Sequence, residues 1–420
     1  MIRKEKLSNG LSLLTESMPQ VRSVTIGVWL RRGSRNEPLK VNGISHFIEH
    51  LVFKGTQNRT AREIALAMDS VGGQMDAFTS KEYTCFYARV LDEHLEETVD
   101  LLADIVQRPL FDPTELERER QVVLEEIRMV EDTPDELIYD LFSQAFYRNH
   151  TLGRPIQGTV KTVRAMSRRQ LLDFFRRSYR PEHMFIAAAG NLEHARVARL
   201  VRRAFGDLAP GPSGNGKLRA PRPRHGIVRR SKKDMKQLHL LLGLPAYAEG
   251  SRGRFPLYVL NTILGGAMSS RLFQRIREER GLAYSVYSAL HGFVDSGVLI
   301  VYAATGPGSG GEVIRLVLEE LRSLRDEGPS EAELEAAREH LKGSLMLSLE
   351  STSSRMSNLA RQEIYYGRQE SLEETLSGVD AVTVRKVRSL CRDLLPAKPL
   401  SLAAVGNVGR LRVGPEALTP

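Results

Sequence analysis

The chain has 420 residues, a formal net charge of +9 and two cysteines. It is too long for one ordinary core, so two or more domains are expected. Cys85 and Cys391 lie far apart without paired metal spacing, which excludes a disulfide framework and fits a reducing compartment. No apolar run is long enough for a signal sequence or a membrane span, so a cytoplasmic protein without membrane contact is expected.

Residues 7–30 read as short strands with a turn at Asn9-Gly10, and 23–30 is the clearest strand among them. Next comes Gly43-Ile44-Ser45-His46-Phe47-Ile48-Glu49-His50, with two histidines four apart and a glutamate before the second. On a helix this spacing puts both imidazoles on one face, one turn apart. Phe47, Ile48, Leu51 and Val52 supply the apolar positions, and Asn42 or Ser45 can cap the start. Neutral imidazole is a good zinc ligand, and a carboxylate beside such a metal can take a proton from water. The stretch is a hydrolytic site in outline.

A second helix is expected over 61–70, a turn at Gly72-Gly73, a strand over 82–90 and an amphipathic helix over 91–106. The class is therefore α+β. A hydrolytic zinc site needs a third protein ligand. The helical stretch 114–128 carries Glu119 and Glu126 seven residues apart, about two turns, so both share a face. A Glu/Arg-rich helix is ordinarily a solvated surface with spaced ion pairs, so composition alone gives neither carboxylate a role.

With these residues the chain resembles the inverzincin zinc peptidases, the family of pitrilysin, insulin-degrading enzyme and mitochondrial processing peptidase, whose motif is this inverted His-x-x-Glu-His. The resemblance implies His46, His50 and Glu126 as ligands of one zinc per chain. It implies Glu49 as general base and Glu119 as a supporting carboxylate. It also places Ala77, Phe78 and Thr79 at the edge of the cleft, where an extended peptide can add as a strand. Many members have asparagine where this chain has Asp76.

Further helices are expected from Pro134 and over 168–179, a strand over 184–191, and a helix ending near Phe205. A Pro/Gly-rich stretch follows at 209–216, then a basic run of Lys217, Arg219, Arg222, Arg224, Arg229, Arg230, Lys232, Lys233 and Lys236. Pro and Gly interrupt that run and no aromatic is interleaved, so it reads as a solvated linker and no nucleic-acid partner is expected. Sliding the chain about 215 residues against itself aligns Phe185-Ile186-Ala187-Ala188-Ala189-Gly190-Asn191 with Ser401-Leu402-Ala403-Ala404-Val405-Gly406-Asn407. Two homologous domains from an internal duplication are expected, each a mostly antiparallel sheet with helices packed on it. Their expected bounds are 1–209 for the zinc domain, 210–226 for the linker and 227–420 for the copy.

The copy lacks the metal chemistry: 257–266 stands where the zinc helix should fall, and Ser344 stands near the counterpart of Glu126. Gly306 to Gly311 read as a strand-to-helix turn, because no Gly-Lys-Ser/Thr follows. The resemblance assigns Arg277 and Tyr284 to substrate carbonyls near the scissile bond, a task suited to a guanidinium and a phenol. In two-domain members these donors come from a partner subunit. A homodimer with two sites is therefore expected, with a heterodimer beside an inactive paralogue as the alternative. The activity implied is a zinc-dependent endopeptidase cutting unfolded peptides or flexible, presequence-like segments in a dimer chamber. The other function considered is a non-catalytic assembly or chaperone-like subunit.

Overall fold

Alternating and fully apolar runs become strands, and the 3.6-residue patterns become helices. The computed structural model describes residues 2–211, 218–395 and 399–420. In chain order the first half forms β1 (Ile2–Lys6), β2 (Ser12–Ser17), β3 (Ser23–Leu30), α1 (Ile44–Leu51), α2 (Ala61–Asp69), β4 (Gln74–Thr79) and β5 (Thr84–Leu91). It continues with α3 (Leu95–Gln107), α4 (Pro113–Asp132), α5 (Pro134–Phe146), α6 (Val160–Ala165), α7 (Arg168–Ser178), β6 (Met184–Gly190) and α8 (His194–Phe205). The second half forms β7 (Ile227–Ser231), β8 (Leu238–Ala246), α9 (Arg254–Asn261), β9 (Ala283–Gly292), β10 (Gly297–Thr305) and α10 (Gly310–Asp326). It ends with α11 (Glu331–Ser348), α12 (Thr352–Tyr365), α13 (Leu372–Asp380), α14 (Val384–Leu394) and β11 (Ser401–Gly406). None of the described helices is long and apolar enough to cross a membrane.

The sheets have orders β1-β2-β6-β3-β5-β4 and β7-β11-β8-β10-β9. In each sheet one pair is parallel, β2 with β6 and β7 with β11, and the remaining pairs are antiparallel. Dropping β1 makes the two orders the same, so the internal repeat is written in the topology.

Two compact units result, and neither is one continuous stretch. The first comprises Met1–Arg128, Arg154–Leu218 and Ser348–Gln369; the second comprises Met129–Gly153, Arg219–Leu347 and Glu370–Pro420. Helix α5 thus belongs to the second unit and α12 to the first, across the linear division that the sequence suggested. Of the expected linker, 212–217 lie outside the described residues, Lys217 among them, and Arg229 and Arg230 belong to β7 rather than to a loop.

Each exchanged helix covers one face of its sheet. In the first unit Met356, Leu359 and Ala360 of α12 pack with Leu14, Trp29, Cys85, Phe185 and Ala187. The Trp29 indole N–H donates to the Met356 sulfur at 3.1 Å, and the Thr25 and Thr352 hydroxyls are 2.8 Å apart. In the second unit Leu137, Ile138, Phe142 and Phe146 of α5 pack on Leu241, Ile300, Tyr302 and Val405. Both helices rest on a glycine of the central strand, though at different registers, Gly27 opposite Ala187 and Gly243 opposite Ser401. A Cβ at Gly27 would lie 3.1 Å from the Met356 sulfur, and one at Gly243 would lie 2.2 Å from the Phe142 ring.

Gly243→Ala should therefore cost about 1–3 kcal/mol through overpacking, read as a lower urea midpoint. Adding Phe142→Leu should recover part of that loss. An unchanged midpoint for Gly243→Ala would show that the ring is not held against this glycine.

Candidate metal and peptidase site

The site begins with α1, whose Ile44, Phe47, Ile48 and Leu51 are buried while His46, Glu49 and His50 stay partly open. Neither Asn42 nor Ser45 caps it through a side chain. The N-cap is Gly43 at φ 95°, where only glycine fits easily, because a Cβ would come within 2.5 Å of the Gln157 carbonyl oxygen. Instead a distant carboxylate takes the free N–H groups. Glu37, 2% exposed, accepts from the N–H of Gly43 at 2.7 Å, the N–H of Ser45 at 2.8 Å and the Asn42 amide at 2.9 Å. Burial pushes the Glu37 carboxyl above its usual range, and these three donors oppose the shift.

Helix α4 is brought alongside by Arg120, whose guanidinium lies 5.6 Å from the Phe47 ring centroid and donates to the Val163 carbonyl. That contact presents Glu119 and Glu126 to α1. His46 Nε2 lies 3.6 Å from Glu126 Oε2, and His50 Nε2 lies 3.5 Å from Glu126 Oε1. These are long for hydrogen bonds. They match the edge of a tetrahedron with about 2.05 Å bonds to its centre, about 3.3 Å. Burial, with the His50 charge adding to it, lowers the His46 pKa to about 3, so the ring is neutral and its lone pair is free. Glu126 Oε2 is buried with no hydrogen-bond partner, as a ligand oxygen would be. Among the described residues His46, His50 and Glu126 are the one group of such side chains that could hold a metal ion. They fit zinc's preference for nitrogen and oxygen donors with a position left open.

The neighbours of this cluster are specific. His50 Nδ1 is 3.1 Å from Glu119 Oε2, and the other Glu119 oxygen pairs with Lys54 at 2.9 Å. Thr79 donates its hydroxyl to Glu49 Oε2 at 2.5 Å. Burial raises the Glu49 pKa; Thr79 and the His50 charge oppose this, while Asp76 and Glu126 add to it. Strand β4 ends its sheet, so its outer backbone edge has no strand partner. Along it the side chains alternate in exposure: Asp76 and Phe78 are exposed, Ala77 and Thr79 half-buried. Of the three residues expected at the cleft edge, Thr79 touches the candidate base, Ala77 lies on its side of the strand, and Phe78 packs edge-on against Trp29.

In the second unit Arg277 lies in the π-helical turn Phe273–Glu278. Its guanidinium stands 4.7 Å from the Phe273 ring and 5.1 Å from the Tyr284 ring, and Tyr284 is 79% exposed on the edge strand β9. Arginine and tyrosine are thus neighbours, open to solvent. The local pattern of the sequence did not point to Glu37, Lys54 or the Thr79–Glu49 contact.

Residues 12–160 match the family described as insulinase (peptidase family M16), and 165–341 match the peptidase M16 inactive domain. A Bacillus subtilis (strain 168) protein called uncharacterized zinc protease YmxG is 42% identical over 98% of this chain and 100% of its own length. A Mycobacterium leprae (strain TN) protein called uncharacterized zinc protease ML0855 is 46% identical over 93% of this chain and 88% of its own. The crystal structure of a protease from Helicobacter pylori shares the fold, with a TM-score of 0.92 at 21% identity over 97% of this chain and 99% of that one. The fold is the two-unit fold of that structure, and it carries a candidate metal cluster on α1 and α4. The chain belongs to peptidase family M16, the insulinase family.

Glu37→Ala would strand the Gly43 and Ser45 N–H groups and the Asn42 amide, at a cost of at least about 2 kcal/mol. Denaturant unfolding checks this; Glu37→Gln, which keeps one acceptor oxygen, should lose less. Wild-type stability in the alanine variant would refute the anchoring role.

Proposed function

We propose that the chain is a zinc-dependent endopeptidase with one zinc per chain, acting on unfolded peptides or flexible segments as a homodimer. The observation that carries this is the convergence of His46, His50 and Glu126 at ligand spacing with Glu49 in the turn between the histidines. The relatives' description as zinc proteases supports the choice of metal. Zinc held by these three side chains would polarise a peptide carbonyl and make water acidic enough to attack it near neutral pH.

The chain's own groups supply the rest. Glu49 accepts the proton of the attacking water and passes it to the leaving amine. Thr79 occupies one Glu49 oxygen and so leaves the other for that exchange. An extended peptide adds its backbone to the open edge of β4, a mode that asks little of sequence. In the homodimer Arg277 and Tyr284 of one copy donate to carbonyls of a peptide held by the other.

Hydrolysis of a mixed pool of unstructured peptides, followed by mass spectrometry, tests the chemistry. Glu49→Gln should lower turnover by about a hundredfold or more while zinc content stays at the wild-type level. Chelation should silence the wild type. Cutting that survives both would remove the metallopeptidase reading.

The assembly has its own test. Glu49→Gln and Arg277→Ala should each be nearly inactive. After subunit exchange the mixture should regain about a quarter of wild-type turnover, because half of the random dimers carry one intact site of two. No recovery would argue that Arg277 does not serve the partner's site.

A further inference from the structure

We propose that Lys54 is a positioning residue of the metal site, setting the direction of His50 through the Glu119 carboxylate. This rests on the zinc reading above. Lys54 follows α1 by one short turn, its N–H bonded to the Leu51 carbonyl, so it stands one helical turn beyond His50. Its ammonium is 2.9 Å from Glu119 Oε1, and Glu119 Oε2 is 3.1 Å from His50 Nδ1. The Glu119 side chain is 8% exposed, and among the described residues Lys54 is the only lysine or arginine that pairs with it.

A carboxylate oxygen accepts only, so the His50 nitrogen facing Glu119 carries the proton and Nε2 presents its lone pair toward Glu126. The orientation holds only while the carboxylate itself cannot turn. Glu119 is set on α4 and His50 on α1, and packing against Phe47 fixes the helices but not the terminal torsion of the glutamate. Lys54 supplies that constraint by holding Oε1, which leaves Oε2 the oxygen that meets the imidazole. An ordinary exposed lysine pair contributes little to stability. Here its effect falls on the metal, since losing an outer-shell partner typically costs 10–100-fold in affinity.

Zinc affinity of the purified full chain, measured by competition with a chromophoric chelator, separates the outcomes. Lys54→Met should weaken zinc binding about tenfold, toward the lower end of the outer-shell range because it acts through one intermediary. Lys54→Arg should restore most of that loss. Unfolding in the presence of chelator should be the same for all three, which sets a folding defect apart. Glu119→Gln should also weaken binding, and adding Lys54→Met to it should change nothing further. Unchanged affinity in Lys54→Met, or an equal loss with Glu119 already replaced, overturns the role of Lys54 and leaves the zinc reading standing. A wild-type chain that takes no zinc overturns both.

Discussion

Helix α1 is only eight residues long, and His46, Glu49 and His50 all project from it. A helix of two turns has little stability of its own in water, so its direction must be imposed from outside. Two constraints impose it: the buried apolar face of Ile44, Phe47, Ile48 and Leu51, and the Glu37 carboxylate at its first turn. A carboxylate sunk among apolar groups is costly unless donors surround it. The first N–H groups of α1 are donors that need an acceptor, so each side removes the other's penalty. Helix α1 is thereby fixed at the end nearest its first histidine.

From that fixed helix the rest of the site is assembled by contacts with α4 and β4. Arg120 against Phe47 sets α4, and α4 then offers two carboxylates two turns apart, one between the two histidines and one to the back of His50. Strand β4 offers Thr79 to Glu49. Three elements therefore each deliver a polar group to a place that burial has largely closed to bulk water. The same burial keeps His46 neutral and lifts Glu49, which suits a ligand and a proton acceptor respectively.

The sequence showed the parts of this that have a period. Histidines four apart and glutamates seven apart fall on common helix faces, so His46, His50, Glu119 and Glu126 could be singled out, and family spacing then chose between the carboxylates. Glu37 could not be found that way, because it reaches Gly43 and Ser45 across the turn through Pro38, outside any local capping pattern. The local rule suggested Asn42 or Ser45, and Asn42 instead donates to Glu37 and to the Pro155 carbonyl. Helix α5 was legible as a helix from Pro134 and α12 was not singled out, and in either case an apolar stripe does not say which sheet it will cover. That is decided by shape: the Phe142 ring and the Met356 sulfur each need a strand position without a Cβ.

Duplication separates what the fold requires from what the chemistry requires. The strand order and the parallel pair recur in both units. The candidate metal ligands do not: α9 runs into the π-helical turn Thr262–Gly266 with no histidine, and α11 carries Ser344 near the place of Glu126. What the second unit keeps at the corresponding margin is donor chemistry. Strand β9 occupies the edge that β4 occupies in the first sheet, and it displays Tyr284 beside Arg277 where β4 displays Thr79 beside Glu49. An edge strand is the one part of a sheet whose backbone remains free to pair with a peptide. Functional groups placed beside it can change while the buried strands that hold it in register stay as they are.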